Sequence, residues 1–322
     1  MDTLTLDTPL VSSQSSIHSH DSLESGSESY EDFSKIEIIS QLGYSKFPVY
    51  LMQSLNDNQY QAIKIFPYKK EEISPSYLNE KRFSFLSHKN IVKFLKTSDF
   101  EQLQSDNAVL YISYVIMELA SRDFADIIKY PAFNQDEKLV RTYFHQLVEG
   151  MEYLHSLGIS HLDIKLENLL LGKDFQLKIT DFDMAHQQGD KKPFGQGSLI
   201  YRAPEVRDRK IQDPTLSDVY SMGIVLFILR IGHFPYLEKE KVQGFDLYYL
   251  LHHEPENFWK AHKSFNGIHQ RLSNDFKDLF IMMTREDPAQ RITLAEIKRT
   301  QWYNGPIYSQ QELPLAMKKA LL

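Results

Sequence analysis

The spacing of apolar residues changes once along this chain, near Leu119, and that change restricts the available architectures more than any other feature. Before it the apolar residues fall in short runs, Ile36-Glu37-Ile38-Ile39, Val49-Tyr50-Leu51-Met52 and Ala62-Ile63-Lys64-Ile65-Phe66, with a polar Asn56-Asp57-Asn58 turn between the last two. Such runs read as strands. Tyr77 to Leu86 reads as a helix, and further strands are expected near Ile91 to Leu95 and over Leu110 to Glu118. After Leu119 the period lengthens: Leu139, Val140, Tyr143, Phe144, Leu147, Met151 and Leu154 recur at helical spacing within Asp136 to Ser156. Asp218 to Ile231, Leu272 to Thr284 and Leu294 to Thr300 continue that pattern, with Asp287-Pro288 breaking the chain between the last two. The class is α+β, a small antiparallel sheet with one helix followed by a larger helical part.

Charge divides the chain differently. Residues 1 to 34 hold seven acids (Asp2, Asp7, Asp21, Glu24, Glu28, Glu31, Asp32), ten serines and no Lys or Arg, so they alone account for the net charge of −7. That composition buries too little apolar surface to offset ordering entropy, and the segment reads as a disordered acidic tail. Ser25 with Glu28, and Ser29 with Asp32, resemble sites for acidophilic kinases. The rest of the chain is neutral, which gives no basis for nucleic acid or an anionic membrane as an obligatory partner. Cysteine is absent, excluding a disulfide framework and thiolate chemistry. No basic stretch leads into an apolar one at the N-terminus, and the longest strongly apolar run, Met222 to Leu229, is short for a bilayer crossing. The expectation is an intracellular, soluble protein, cytoplasmic or nuclear.

The chemistry concentrates in His161-Leu162-Asp163-Ile164-Lys165-Leu166-Glu167-Asn168, with a further acid, Asp181, in Asp181-Phe182-Asp183. Two carboxylates, a Lys and an Asn at this spacing suit phosphoryl transfer, which needs a base to orient the acceptor, a cation near the γ-phosphate and hard oxygen ligands for Mg²⁺. Asp163 is the candidate catalytic base, Lys165 the candidate γ-phosphate cation, and Asn168 and Asp181 the candidate metal ligands.

At these residues the chain resembles the eukaryotic protein kinases, whose signature orders a Gly-rich loop, a strand Lys, a helix Glu, a catalytic loop, a metal-binding acid and Ala-Pro-Glu. Leu42-Gly43-Tyr44-Ser45-Lys46-Phe47-Pro48-Val49-Tyr50 is similar to the Gly-rich loop, Ala62-Ile63-Lys64 to the strand Lys motif, and Glu80 to the helix Glu. Gly197-Ser198-Leu199-Ile200-Tyr201-Arg202-Ala203-Pro204-Glu205 is similar to the segment that receives a peptide, and Asp218 and Arg291 to landmarks deep in the large lobe. The resemblance spans roughly residues 36 to 303. It implies a bilobal kinase-like fold, with a small lobe over 35–119, a large lobe over 120–305 and a C-terminal tail over 306–322. It further implies ATP and Mg²⁺ as cofactors and protein Ser/Thr hydroxyls as acceptors, since Lys165 marks Ser/Thr kinases. Lys64 would reach the α- and β-phosphates and pair with Glu80; Met117-Glu118-Leu119 would form the hinge against adenine; Asp123 would lie on the ribose side. Asp123 and Glu167 together imply a preference for Lys or Arg upstream of the acceptor. Glu205 and Arg291 would form a buried ion pair.

Three departures stand out. Ser45 and Pro48 replace loop glycines, which leaves Gly43 as the residue able to supply positive φ and close backbone approach and implies weakened ATP affinity. Asp183 replaces the Gly after Asp-Phe, where a side chain restricts the backbone. Leu162 replaces the Arg that binds an activating phosphate in regulated members, and Met184 to Gln196 contains no Ser, Thr or Tyr to carry one. The reading is a Ser/Thr kinase not controlled by activation-loop phosphorylation; the alternative is a pseudokinase scaffold that binds nucleotide or partners without efficient transfer. The last stretch, Leu313 to Leu322, reads as a short amphipathic helix.

Overall fold

A computed structural model describes residues 36–43, 46–68, 72–105, 108–191, 197–237, 246–265 and 272–322, with the side chains of 103–105, 108–109 and 263–265 excepted. The acidic N-terminal segment and the loop residues Tyr44 and Ser45 lie outside the described residues.

Strands β1 (Ile36–Gly43), β2 (Val49–Ser54), β3 (Tyr60–Tyr68), β4 (Phe94–Ser105) and β5 (Ala108–Glu118) form one antiparallel sheet in the order β1-β2-β3-β5-β4, and helix α1 (Pro75–Arg82) lies against it. Alternation along the central strand β3 sorts its residues between two faces. Ile63 and Ile65 join Met52, Ile112, Tyr114 and Ile116 on one side, while Ala62 and Phe66 meet Tyr77, Val92, Val115 and Met117 on the other. Lys64, between Ala62 and Phe66, is therefore forced onto the α1 face and is buried there. A buried ammonium is tolerated only with anionic partners, so the period-two pattern itself creates a demand for carboxylates at this spot.

The helix α1 begins with Pro75 in its first turn and stops at Arg82 rather than at Leu86. Beyond it the chain turns so that Phe83 and Leu86 both enter the core of the large lobe, leaving Phe85 exposed. The expected strand at Ile91 to Leu95 is also displaced. Residues 90–92 instead stitch the two lobes together, with Val92 N–H donating to the Ile179 carbonyl at 2.9 Å and Ile179 N–H to the Asn90 carbonyl at 2.8 Å; the true strand starts at Phe94.

The large lobe follows as β6 (Arg122–Asp123), α2 (Phe124–Ile127), α3 (Pro131–Gln135), α4 (Glu137–Ser156), β7 (Ile159–Ser160), β8 (Leu169–Leu171), β9 (Leu177–Ile179), β10 (His186–Gln187), α5 (Pro204–Arg207), α6 (Pro214–Ile231), α7 (Leu247–His253), α8 (Pro255–Phe265), α9 (Asn274–Met283), α10 (Leu294–Ile297) and α11 (Leu313–Ala320). Asp136 caps α4 by accepting from Leu139 N–H, and Gly232 ends α6 at φ 88°, the left-handed C-cap that Gly adopts without steric cost. The apolar run at Met222 belongs to an 18-residue helix that is long and apolar enough to cross a membrane by those criteria, but 78% of it is buried inside the lobe. It packs against α4 and α9 as the central core helix.

Arg291 reaches from the loop after α9 to Glu205 at the start of α5, with Nη1–Oε1 at 2.7 Å and Nη2–Oε2 at 2.9 Å, and both side chains are buried. Arg291→Met would leave a buried carboxylate without its cation, and urea denaturation is expected to show a loss of about 3–5 kcal/mol. A loss under about 1 kcal/mol, the range of an exposed pair, would contradict this placement.

Candidate active site

Lys64 meets the demand set up by its burial with two carboxylates: its Nζ lies 3.0 Å from Glu80 Oε2 and 2.7 Å from Asp181 Oδ1. Burial alone would lower the Lys64 pKa, but the charges of Glu80 and Asp181 outweigh it and hold the ammonium above its ordinary value. Burial likewise raises Asp181, and here Lys64 wins by both charge and hydrogen bond, so this carboxyl sits below its usual range. Glu80, wholly buried, is pushed up by desolvation against the pull of Lys64. The ion pair thus joins α1 in the small lobe, β3 in its sheet, and the segment after β9 in the large lobe.

Asp181 occupies the left-handed region at φ 69°, which Asp reaches more easily than most residues. The next residue, Phe182, is fully buried with ring centroids 6.1 Å from Phe83, 6.0 Å from Phe94 and 5.1 Å from His161. Asn79 Nδ2 fixes the turn by donating to the carbonyls of Phe182 (3.0 Å), Asp183 (2.9 Å) and Ala185 (2.9 Å). Asp183 is not among the positive-φ residues, so this arrangement of the turn does not require the family's Gly. Gly43 also departs from expectation: it does not take positive φ, and a Cβ there would meet nothing within 4 Å.

The catalytic-loop stretch is held from beneath by Asp218 of α6. Its carboxylate accepts from His161 N–H at 2.9 Å and Leu162 N–H at 2.8 Å, and His155 Nε2 lies 2.8 Å away. Leu162 is buried at φ 60°, a conformation costing an L-residue about 1–2 kcal/mol. The strained peptide turns Asp163 upward, where its Oδ2 receives Lys165 Nζ at 2.7 Å and Asn168 Nδ2 at 3.1 Å, and its Oδ1 receives Ser198 N–H at 2.6 Å. Lys165 also donates to Ser198 Oγ at 3.0 Å. Gly197 precedes this contact at φ +60°, and a Cβ there would collide with the Leu162 carbonyl, so close approach of the two segments requires Gly.

Lys64, Asp163, Lys165, Asn168 and Asp181 all line one cavity of about 560 Å³ between the lobes. Leu42, Gly43, Lys46, Phe47, Val49 and Ala62 line it from the small lobe, Met117 and Glu118 from the connection, and Asp123 from the start of the large lobe. Among the described residues, four assigned to nucleotide contact are not on that wall. Tyr50 alternates to the opposite face of the sheet and packs with the Met52 cluster, and Pro48 turns its carbonyl to Ile65 N–H at 3.1 Å. Leu119 packs under the sheet with Ala62 and Phe66, and Glu80 lies behind Lys64. Glu118 lends its side chain to Lys93 N–H (2.8 Å) and Lys178 (3.0 Å), while Asp123 Oδ1 caps α2 through Asp126 N–H at 2.7 Å. The sequence reading missed Ala120, Ser121, Arg122, Leu170, Thr180 and Met184 on the wall. Ala120 follows the end of β5 at Glu118, which places its backbone beyond the ladder; no residue type signals that position.

The donor set fits a hard divalent cation beside a triphosphate. Asn168 spends its amide N–H groups on the Asp163 carbonyl (2.9 Å) and carboxylate, which leaves Oδ1 as its free acceptor. Asp181 spends Oδ1 on Lys64 and keeps Oδ2. Two oxygen donors and no thiolate or imidazole match Mg²⁺ preference. Leu42, Val49, Ala62 and Leu170 supply apolar walls of the kind a flat base occupies.

A five-stranded sheet with one helix, stitched to a helical lobe across a cleft that gathers these polar groups, defines the bilobal kinase fold. A protein kinase domain profile matches residues 36–303. CBL-interacting protein kinase 26 of Oryza sativa subsp. japonica is 31% identical over 281 residues, covering 84% of this chain and 52% of that protein. Serine/threonine-protein kinase SAPK3 of Oryza sativa subsp. indica is 28% identical over 283 residues, covering 84% of this chain and 77% of that protein. Probable serine/threonine-protein kinase RTK1 of Saccharomyces cerevisiae is 31% identical over 226 residues, covering 68% and 34% respectively. The chain belongs to the eukaryotic protein kinase family, Ser/Thr type, and it spans about half (52%) of the length of the first relatives it matches.

Asp218→Asn keeps the shape but exchanges one acceptor oxygen for an amide NH2, which can only donate, so one of the two catalytic-loop N–H groups loses its partner. Hydrogen exchange at His161 or Leu162 is expected to accelerate about tenfold or more, the equivalent of one lost buried hydrogen bond. Unchanged protection at both amides would show that Asp218 does not hold the loop.

Proposed function

We propose that this chain is an active protein kinase that transfers the γ-phosphoryl group of ATP to Ser or Thr hydroxyls of proteins with Mg²⁺. One observation carries the reading: Lys64, Asp163, Asn168 and Asp181, contributed by three separate stretches of sequence, face a single cavity. In that arrangement Asp163 is oriented by Ser198 N–H and Asn168, so a carboxylate oxygen is directed toward an incoming hydroxyl and takes its proton as transfer proceeds. Lys165, between Asp163 and Ser198, adds positive charge where the transferred group passes. Lys64 orients the α- and β-phosphates. Asn168 Oδ1 and Asp181 Oδ2 would hold Mg²⁺, which would supply charge neutralisation for the phosphates.

The apolar side chain of Leu162 and the lack of hydroxyls over Met184 to Gln196 support activity without activation-loop phosphorylation. The exposed Glu167 and partly exposed Asp123 on the cavity rim support a preference for Lys or Arg upstream of the acceptor. Cytoplasm or nucleus is the proposed compartment. A pseudokinase scaffold is favoured by Pro48, whose missing N–H and inward carbonyl weaken the phosphate loop. Lys64 and the metal ligands need no glycine, so the enzyme reading is preferred.

Transfer from γ-labelled ATP to a peptide array with Mg²⁺ decides between them. Asp163→Asn is expected to reduce transfer at least about 10²-fold, the scale of a lost general base. Equal labelling by both proteins would leave the scaffold. Mass spectrometry of the active protein is expected to find no stoichiometric phosphate between Asp183 and Glu205; an activating one there would overturn the regulatory reading.

A further inference from the structure

The segment that follows the metal-binding turn lacks both phosphate receptor and phosphate acceptor, yet α1 is tied to it. Arg82 Nη1, on the last residue of α1, donates to Asp190 Oδ2 at 2.7 Å. Arg82 is 40% exposed and Asp190 15%, so the acid is the anchored partner. Its Oδ2 also accepts Gln187 N–H at 3.1 Å, and its own N–H donates to the Gln187 carbonyl at 3.0 Å. Gln187 belongs to β10, which pairs with Ile159 of β7, and β7 runs directly into His161 and the catalytic loop. Three links therefore join the end of α1 to Asp163. The same C-terminal half of the helix carries Asn79, on the Asp181 turn, and Glu80, on Lys64.

We propose that Arg82 and Asp190 form a built-in charge clasp that holds α1 against the large lobe, keeping Glu80 on Lys64 by a genetically fixed carboxylate where regulated kinases use a phosphate. Arg82 and Asp190 are positioning residues: they act through Glu80 and the β7–β10 pair and do not touch the reacting atoms. The clasp does not rest on the enzyme reading; its effect on turnover does. Without it α1 would keep Asn79 and Glu80 but lose the contact that stops its C-terminal end from swinging out with the small lobe.

Arg82→Gln removes the charge, and Asp190→Asn removes it while keeping an oxygen for Gln187 N–H, so the turn survives in both. Each single variant is expected to raise amide exchange over Tyr77 to Arg82 about two- to fivefold, the scale of a partly exposed ion pair. Each is expected to lower kcat by a similar factor with the peptide KM unchanged, and Arg82→Lys to restore much of both. The double variant is expected to be no worse than either single one. Unchanged exchange in the single variants, or effects that simply add in the double, would overturn the clasp. Altered exchange in a protein with no Asp163-dependent transfer would support the clasp and remove the enzyme reading, so the two failures are distinguishable.

Discussion

The buried ammonium of Lys64 is the constraint on which the rest of the structure depends. An unpaired cation at this depth is too costly to persist, and strand alternation gives it no route to solvent. It must therefore be met by Glu80 from α1 and Asp181 from the large lobe, at 3.0 and 2.7 Å. Each partner drags its own element into place: Glu80 sets the rotation of α1 on the sheet, and Asp181 fixes the turn that precedes Phe182. The cleft between the lobes is as much a consequence of this charge requirement as of apolar packing.

Around that centre, buried and half-buried polar side chains of both lobes orient backbone. Asp218 holds the N–H groups of His161 and Leu162, Asn79 of α1 three carbonyls of the turn after Asp181, and Arg291 the start of α5 through Glu205. Two of the five non-Gly residues at positive φ among the described residues, Leu162 and Asp181, lie within this mesh. Strain of this size persists only where neighbours over-determine the backbone, and here it directs both carboxylates of the site toward the cavity.

Much of this was legible in the residues. The shift from short apolar runs to helical spacing marked the sheet before the helices, because burial on one face imprints a period that solvent exposure cannot erase. Lys64 stood out as a charge inside an apolar strand. Harder to read were features set by contacts between distant segments. Tyr77 to Leu86 looks like a continuous helix, yet Phe83 and Leu86 are drawn into the other lobe and the helix stops at Arg82. Ile91 looks like strand and instead bridges to Ile179. Leu119 and Ala120 differ in which one faces the cavity for reasons of backbone direction past β5, not residue type. Gly43 and Asp183 misled in opposite senses, since the conformations at both positions suit ordinary residues.

The central claim is that Lys64 is a buried cation fixed by two carboxylates, and competitive labelling with a small amine-acylating reagent at mildly alkaline pH tests it most directly. Lys64 should acylate far more slowly than the exposed lysines, and Glu80→Gln should accelerate it without a comparable change elsewhere, because losing the charge lowers the pKa while access stays the same. Acylation of Lys64 at the rate of a surface lysine, or a rate indifferent to Glu80→Gln, would contradict the account.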